Sequence, residues 1–199
     1  MATQSERREA TISRLVAATI ASLEQVGYAG TTVAAICERA QVSQGALFRH
    51  FPTRRALLAH AAEHVARRQV AAFRAHVTVD LSTEAGVRDM IATLVRLGAS
   101  PENRTWHELM VAARTDSALR SELQGATDVY QREIMLAAAD LAGDRLGLHL
   151  APMMRVVLSF VDGLAVATPL THDGPGIDAA VTTFARMLWL AADTEENPR

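Results

Sequence analysis

The sequence predicts an all-α fold of about nine helices, and three observations carry that expectation. Apolar residues recur at intervals of three and four along nearly all of the 199 residues. No stretch keeps the two-residue alternation of a half-buried strand. Ser, Thr, Asp, Gly and Pro also punctuate the chain at helix-length intervals. With 49% hydrophobic and 21% charged residues, the composition is that of a globular protein and excludes disorder and fibres.

Each element follows from its own signals. Ile12, Leu15, Val16, Ile20 and Leu23 form the inner stripe of a first helix that should stop near Gly27, before a loop at 28–31. Thr31 or Thr32 can accept a free backbone N–H and open a second helix of about nine residues, with Val33, Ile36, Cys37 and Ala40 inward. Ser43 caps a very short helix at 44–50, which Pro52 stops. Thr53 then caps a long helix to 76 that collects Leu58, Ala61, Ala62, Val65, Gln69, Ala72 and Phe73 on one face. A gap at 78–82 follows, then helices at about 83–98, 102–114, 117–142, 152–168 and 175–193. The divisions predicted are 1–52, a connecting helix at 53–78, and a helical body at 79–199.

The formal charge of −2 argues against a nucleic-acid partner until it is divided. Residues 1–76 hold ten basic and five acidic side chains, a net +5, whereas 77–199 hold ten and seventeen, a net −7. All 20 basic residues are arginine, as GC-rich coding produces. The single cysteine, Cys37, has no partner for an internal disulfide and falls on an inner stripe, which predicts a packed residue in a reducing, cytoplasmic compartment. The first 20 residues, with Glu6, Arg7, Arg8, Glu9 and Arg14, lack the apolar core of a secretory signal. The longest apolar run, 153–170, contains Arg155 and Asp162. Each would cost about 2.5 to 3.5 kcal/mol at a bilayer centre, so a soluble helix, buried on two sides, is expected and no membrane partner.

The stretch 31–58 carries the functional signal. A capped helix, a three-residue turn, a second short helix and a proline stop make a helix-turn-helix. Val42 should plug the turn, with Leu47 and Phe51 holding the second helix from below. Ser43, Gln44, Ala46, Arg49 and His50 are then left for solvent or a DNA groove. Gln44 suits adenine and Arg49 guanine, each bidentately, while Ser43 and the backbone N–H groups beside it suit a phosphate. Arg54 and Arg55 are placed for the same DNA backbone.

The run Gly27-Tyr28-Ala29-Gly30-Thr31-Thr32-Val33, with Ile36, Arg39-Ala40, Val42-Ser43, Gly45-Ala46-Leu47-Phe48, His50-Phe51-Pro52 and Leu57-Leu58, resembles the tetracycline-repressor-like (TetR) transcriptional regulators over residues 8–58. That resemblance implies a DNA-binding head of three helices, a long fourth helix, and a helical C-terminal domain that dimerises and often holds a small effector. It maps Thr32, Ser43, Gln44, Arg49, His50, Thr53 and Arg54 onto DNA-facing positions, together with Ala46 and Phe48. Two positions depart from the family pattern. Gln41 stands where glycine is usual and must either take an unfavourable left-handed backbone or alter the turn. Phe48 stands where tyrosine is common, without the hydroxyl that reaches a phosphate.

In the C-terminal part, Met90, Leu94, Trp106, His107, Met110, Met135 and Phe160 supply adaptable apolar surface. They read either as core or as the lining of a cavity for a largely apolar effector, oriented by His107 and the Trp106 N–H. Met154, Val157, Val161, Val181, Phe184 and Leu188 are the expected seam of an isologous four-helix contact between two chains. The resulting expectation is a homodimeric regulator, usually a repressor, on a palindromic operator. No cofactor, metal or catalysis is implied. One enzyme signal competes: His60, Glu63 and His64 match H-x-x-E-H, which would make a zinc hydrolase, although a third ligand is not identifiable and a solvated helix face explains it. A helical dimer acting through protein partners is the remaining alternative.

Overall fold

The computed structural model describes the backbone at residues 3–143, 149–171 and 173–196. Among the described residues the chain forms nine α-helices and no strand. They are α1 (Gln4–Gly30), α2 (Val33–Ala40), α3 (Gln44–His50), α4 (Arg54–His76), α5 (Glu84–Gly98), α6 (Pro101–Ala113), α7 (Ser117–Ala142), α8 (Leu150–Thr171) and α9 (Gly174–Glu196).

Residues group into two compact units that are not contiguous in sequence. The first is Met1–Gln69 with Pro101–Gln131, and the second is Val70–Ser100 with Arg132–Arg199. The first unit is built on one apolar core. Leu15 and Leu23 of α1, Ile36 of α2, Leu47 of α3, Leu57 and Leu58 of α4, Leu109 of α6 and Leu119 of α7 are all at most 1% exposed. Burying each such side chain contributes roughly 1.5–3 kcal/mol. α1 starts with a capping box: Thr3 Oγ1 accepts the Glu6 N–H at 3.2 Å while the Thr3 N–H donates to Glu6 Oε2 at 2.6 Å. The expected stop at Gly27 is a kink (φ 65°, ψ −175°), after which one more turn runs to Gly30.

The second unit packs α5 against both α8 and α9. Thr83 Oγ1 caps α5 by accepting the Gly86 N–H at 3.0 Å. Asp173 caps α9 through the Gly176 N–H at 2.9 Å. Pro175 in the first turn of α9, like Pro152 in that of α8, costs no helical bond because N–H groups there have no helical acceptor. α8 is long and apolar enough to cross a membrane, yet its Val157 and Val161 are buried in the unit's core and its Arg155 and Asp162 are exposed. One side of α8 is covered within the chain, as expected of the side packed on its own domain.

Candidate functional site

Helices α2 and α3 are fixed by side-chain-to-backbone bonds that the sequence signals. Thr32 Oγ1 accepts the Ala35 N–H at 3.2 Å and Ser43 Oγ accepts the Ala46 N–H at 3.1 Å. Between them Gln41 takes the left-handed conformation, φ 56° and ψ 46°, and is the one non-glycine with positive φ among the described residues. Its N–H reaches the Glu38 carbonyl at 3.3 Å and its side-chain Nε2 donates to the same oxygen at 2.9 Å. That second bond offsets part of the backbone strain at a position usually given to glycine. Ile36, Cys37, Ala40 and Leu47 are buried and Val42 packs against them, as the inner stripe predicts. Burial pushes the Cys37 thiol up, away from the reactive thiolate.

The residues expected to face DNA lie on the outer face of this pair. Thr32, Ser43, Gln44, Phe48, Arg49 and Thr53 are exposed, and Ala46 and His50 are half-buried. Ser43 and Thr53 both cap helices, Thr53 Oγ1 accepting the Ala56 N–H at 3.0 Å. Four arginines fall within 31–58, and three are held inside the chain. Arg39 donates to Gln25 Oε1 at 2.6 Å, Arg55 to Asp116 Oδ2 at 3.1 Å, and Arg54 to two backbone carbonyls. Among the described residues Arg49 makes no such bond.

Arg54 is engaged inside the chain. Its expected role was a grip on phosphate, but its Nε donates to the Thr31 carbonyl at 2.6 Å and its NH2 to the Tyr28 carbonyl at 2.5 Å, with the guanidinium 4.4 Å above the Tyr28 ring. Half-buried there, it ties the start of α4 to the α1–α2 turn. A further set of contacts was not anticipated from sequence. Glu108 of α6 accepts the Tyr28 N–H at 2.9 Å, and Asp116 accepts the Tyr28 hydroxyl at 3.2 Å as well as the Arg55 guanidinium. Asp116 Oδ1 also caps α7 by accepting the Leu119 N–H at 2.9 Å. That backbone bond first, then Arg55 and Tyr28, hold the Asp116 carboxyl below its usual range. The only local hint was an Asp just ahead of a helix; its partners are 61 and 88 residues away in sequence.

The apolar residues of the C-terminal part separate into different surroundings. Met90 and Leu94 line a cavity of about 80 Å³ in the second unit with Phe73, Leu81, Ala138, Met153, Met154, Val157, Leu188 and Trp189. All of its described lining side chains are apolar or aromatic. Trp106 and Met110 lie elsewhere, in the core of the first unit, where the Trp106 ring packs 5.0 Å from that of Tyr130. His107 is half-buried on the same α6, and Met135 half-buried on α7. Phe160 stacks on Phe184 at 4.0 Å between centroids and 18° between planes, so both are engaged within one chain. Of the residues expected at a dimer seam, Met154, Val157, Val161 and Val181 are 8% exposed or less, and Leu188 lines the cavity. α8 is apolar around most of its circumference, so periodicity could not say which side faces inward. The large apolar side chains that α8 and α9 leave exposed, among the described residues, are Val156, Val166, Leu170, Met187 and Leu190.

The H-x-x-E-H segment lies on α4. His60 sits 5.5 Å from the Phe51 ring, Glu63 pairs with Arg67 at 3.6 Å, and His64 is exposed. Among the described residues no three His, Cys, Asp or Glu side chains are grouped to hold a metal ion.

Comparison with known proteins accords with this geometry. Residues 15–61, which span the core of α1 through the first turns of α4, match the family model of bacterial regulatory proteins of the tetR family. An HTH-type transcriptional regulator of Mycobacterium tuberculosis is 40% identical over 141 residues, which cover 71% of this chain and 72% of that protein. The HTH-type transcriptional regulator CymR of Pseudomonas putida is 31% identical over 122 residues, 61% of this chain and 60% of its own. Among solved structures, a transcriptional regulator from Rhodococcus sp. RHA1 superposes with a TM-score of 0.72 at 20% identity, covering 90% of this chain and 96% of that one. FadR from Bacillus subtilis, solved in complex with stearoyl-CoA, superposes with a TM-score of 0.60 at 12% identity, covering 87% and 96%. With the helix-turn-helix in place and a relative matched over most of its length, the chain belongs to the TetR family of transcriptional regulators, proteins that bind DNA and are not enzymes.

Proposed function

We propose that the protein is a cytoplasmic homodimeric repressor that leaves a palindromic operator when a small, largely apolar effector enters the cavity of the second unit. The observation that carries this reading is that cavity: an apolar hollow, with no charged side chain among its described lining residues, in a chain whose other unit presents a helix-turn-helix. An ionised ligand would lose its hydration there without a partner, whereas an apolar one loses little. The complex of FadR with stearoyl-CoA supports the same use of this fold for a ligand with a long apolar part.

Dimerisation follows from the uncovered side of α8. Val156, Gly163, Val166 and Leu170 fall on one helical stripe, and a Cβ added at Gly163 would meet nothing within 4 Å, so the chain's own packing does not call for glycine there. A second copy of α8 can approach closely at that point, with Met187 and Leu190 of α9 alongside. Two copies would set two α3 helices in successive major grooves, about 34 to 36 Å apart. Phe73 of α4 lines the cavity and Arg54 anchors the start of the same helix, so a ligand that displaces Phe73 acts on the helix that holds the head. The effector's leverage equals its difference in affinity between the DNA-competent and released dimers.

A panel of neutral apolar compounds tests the coupling. At least one is expected both to raise the melting temperature and to release operator DNA, and Ala138→Trp, which fills the cavity, should abolish both effects. Compounds that bind tightly while DNA affinity stays unchanged at every salt concentration would overturn it.

A further inference from the structure

We propose that Phe48 reads thymine: its ring packs on the C5 methyl group of one thymine in each half-site, reached because Gly45 beside it has no side chain. The proposal rests on the DNA-binding reading of α3 and adds the chemistry of one contact to it.

Burial divides α3 sharply. Leu47 is fully buried and the following Phe51 is 7% exposed, while Gln44, Gly45, Phe48 and Arg49 form the opposite, exposed face. Phe48 is 46% exposed, and a phenyl ring there can neither donate to a phosphate nor satisfy a base amide. Its place in an otherwise polar quartet calls for an apolar partner outside the chain. Gly45 gives an independent observation. Its φ is not positive, and a Cβ built on it would meet only Ser43 Oγ, at 4.0 Å. Neither backbone conformation nor internal packing requires glycine, although glycine weakens a helix. The residue lies three positions before Phe48, on the same face, and lowers the helix surface next to the ring. A partner that comes close at Gly45 therefore also meets the Phe48 ring.

In the major groove the thymine methyl is the apolar feature of the base edges, and phenylalanine is among the side chains that pack on it. Gln44 and Arg49, flanking the ring, supply the hydrogen bonds that adenine and guanine can return. The quartet thus reads a short step in which a thymine adjoins purines, and Phe48 rejects cytosine, which has no methyl.

The test uses the full-length protein and the operator it selects from a random duplex library. Each thymine is replaced singly by deoxyuridine, which removes only the methyl. For the wild type, one replacement per half-site is expected to weaken binding about fourfold, and both together about fifteenfold. In Phe48→Ala the same replacements should cost less than about 1.5-fold, with an unchanged melting temperature, whereas a purely structural Phe48 would leave the thymine-to-uracil ratio as in the wild type. Gly45→Ala should keep or raise the melting temperature while weakening operator binding roughly tenfold, consistent with alanine's better helix propensity. Wild-type indifference to every uracil, or a uracil penalty that survives in Phe48→Ala, would overturn the contact alone. Failure to enrich any sequence would overturn the DNA-binding reading and this contact together.

Discussion

Helices α3 and α8 each leave one side uncovered by the chain, and the chemistry of the two bare sides differs. The seven residues of α3 expose an amide, a guanidinium, a phenyl ring and a glycine. The 22 residues of α8 expose Val156, Val166 and Leu170. The first surface has hydrogen bonds to give and one apolar patch, which fits the edges of base pairs. The second has a stripe of apolar area, with Arg155 and Asp162 exposed beside it, which fits another helix. Their supports differ too: α3 is capped by Ser43 and pinned through Leu47, while α8 is held by the area it buries against α5. Exposure alone marks both as unfinished surfaces, and the exposed atoms say what completes each.

Removing the support of α3 should have the largest effect. Leu47→Ala leaves a cavity in the fully buried core of the first unit and is expected to cost about 2–5 kcal/mol in chemical unfolding, with loss of operator binding. If DNA binding survived unchanged, α3 would not be the reading element. Val166→Asp is the counterpart on α8. It should leave helicity by circular dichroism intact but weaken self-association in sedimentation by about a hundredfold, since two desolvated like charges would face each other across the twofold axis. A variant that stays dimeric would place the interface elsewhere.

Arg54→Ala sharpens the distinction between support and contact. It removes two charge-assisted bonds to the Tyr28 and Thr31 carbonyls, so thermal unfolding should show a loss of about 1.5–3 kcal/mol. The salt dependence of DNA binding should keep its slope, because the guanidinium is engaged inside the chain. A flattened slope with unchanged stability would return Arg54 to the phosphate. The smallest effect is expected at Asp116. Its carboxyl is held below the ordinary 3.8, so ionised Asp116 stabilises the folded state above that pH and the contribution is lost as pH falls through the lower, folded value. Asp116→Asn should therefore melt lower than wild type at pH 7, and the gap should close below about pH 3.8. A gap that persists in strong acid would assign the effect to packing.

The head was legible in the sequence because its determinants are local. Thr32, Ser43 and Thr53 announce helix starts and Pro52 a stop, each acting within four residues, whereas the left-handed turn at Gln41 was one of two readings that the family resemblance left open. The contacts of Tyr28 with Glu108 and Asp116 were not legible, since an exposed carboxylate looks the same in sequence whether it meets water or a hydroxyl 88 residues away. Apolar periodicity likewise marked Trp106, Met110 and Phe160 as inward without saying what they pack against. The fold places Trp106 with Tyr130 and leaves the cavity to Met90, Leu94 and Trp189. The charge division at residue 76 is also redrawn in the fold, because residues 101–131 bring five acidic side chains, Glu108 and Asp116 among them, into the unit that holds α3.

Selection of DNA from a random duplex library by the full-length protein, followed by footprinting of the enriched sequence, tests the central claim most directly. The account predicts a twofold-symmetric sequence whose half-site centres lie about one helical turn apart, with loss of base preference at one position per half-site in Arg49→Ala. An asymmetric site, or equal binding of wild type and Arg49→Ala across the library, would contradict it.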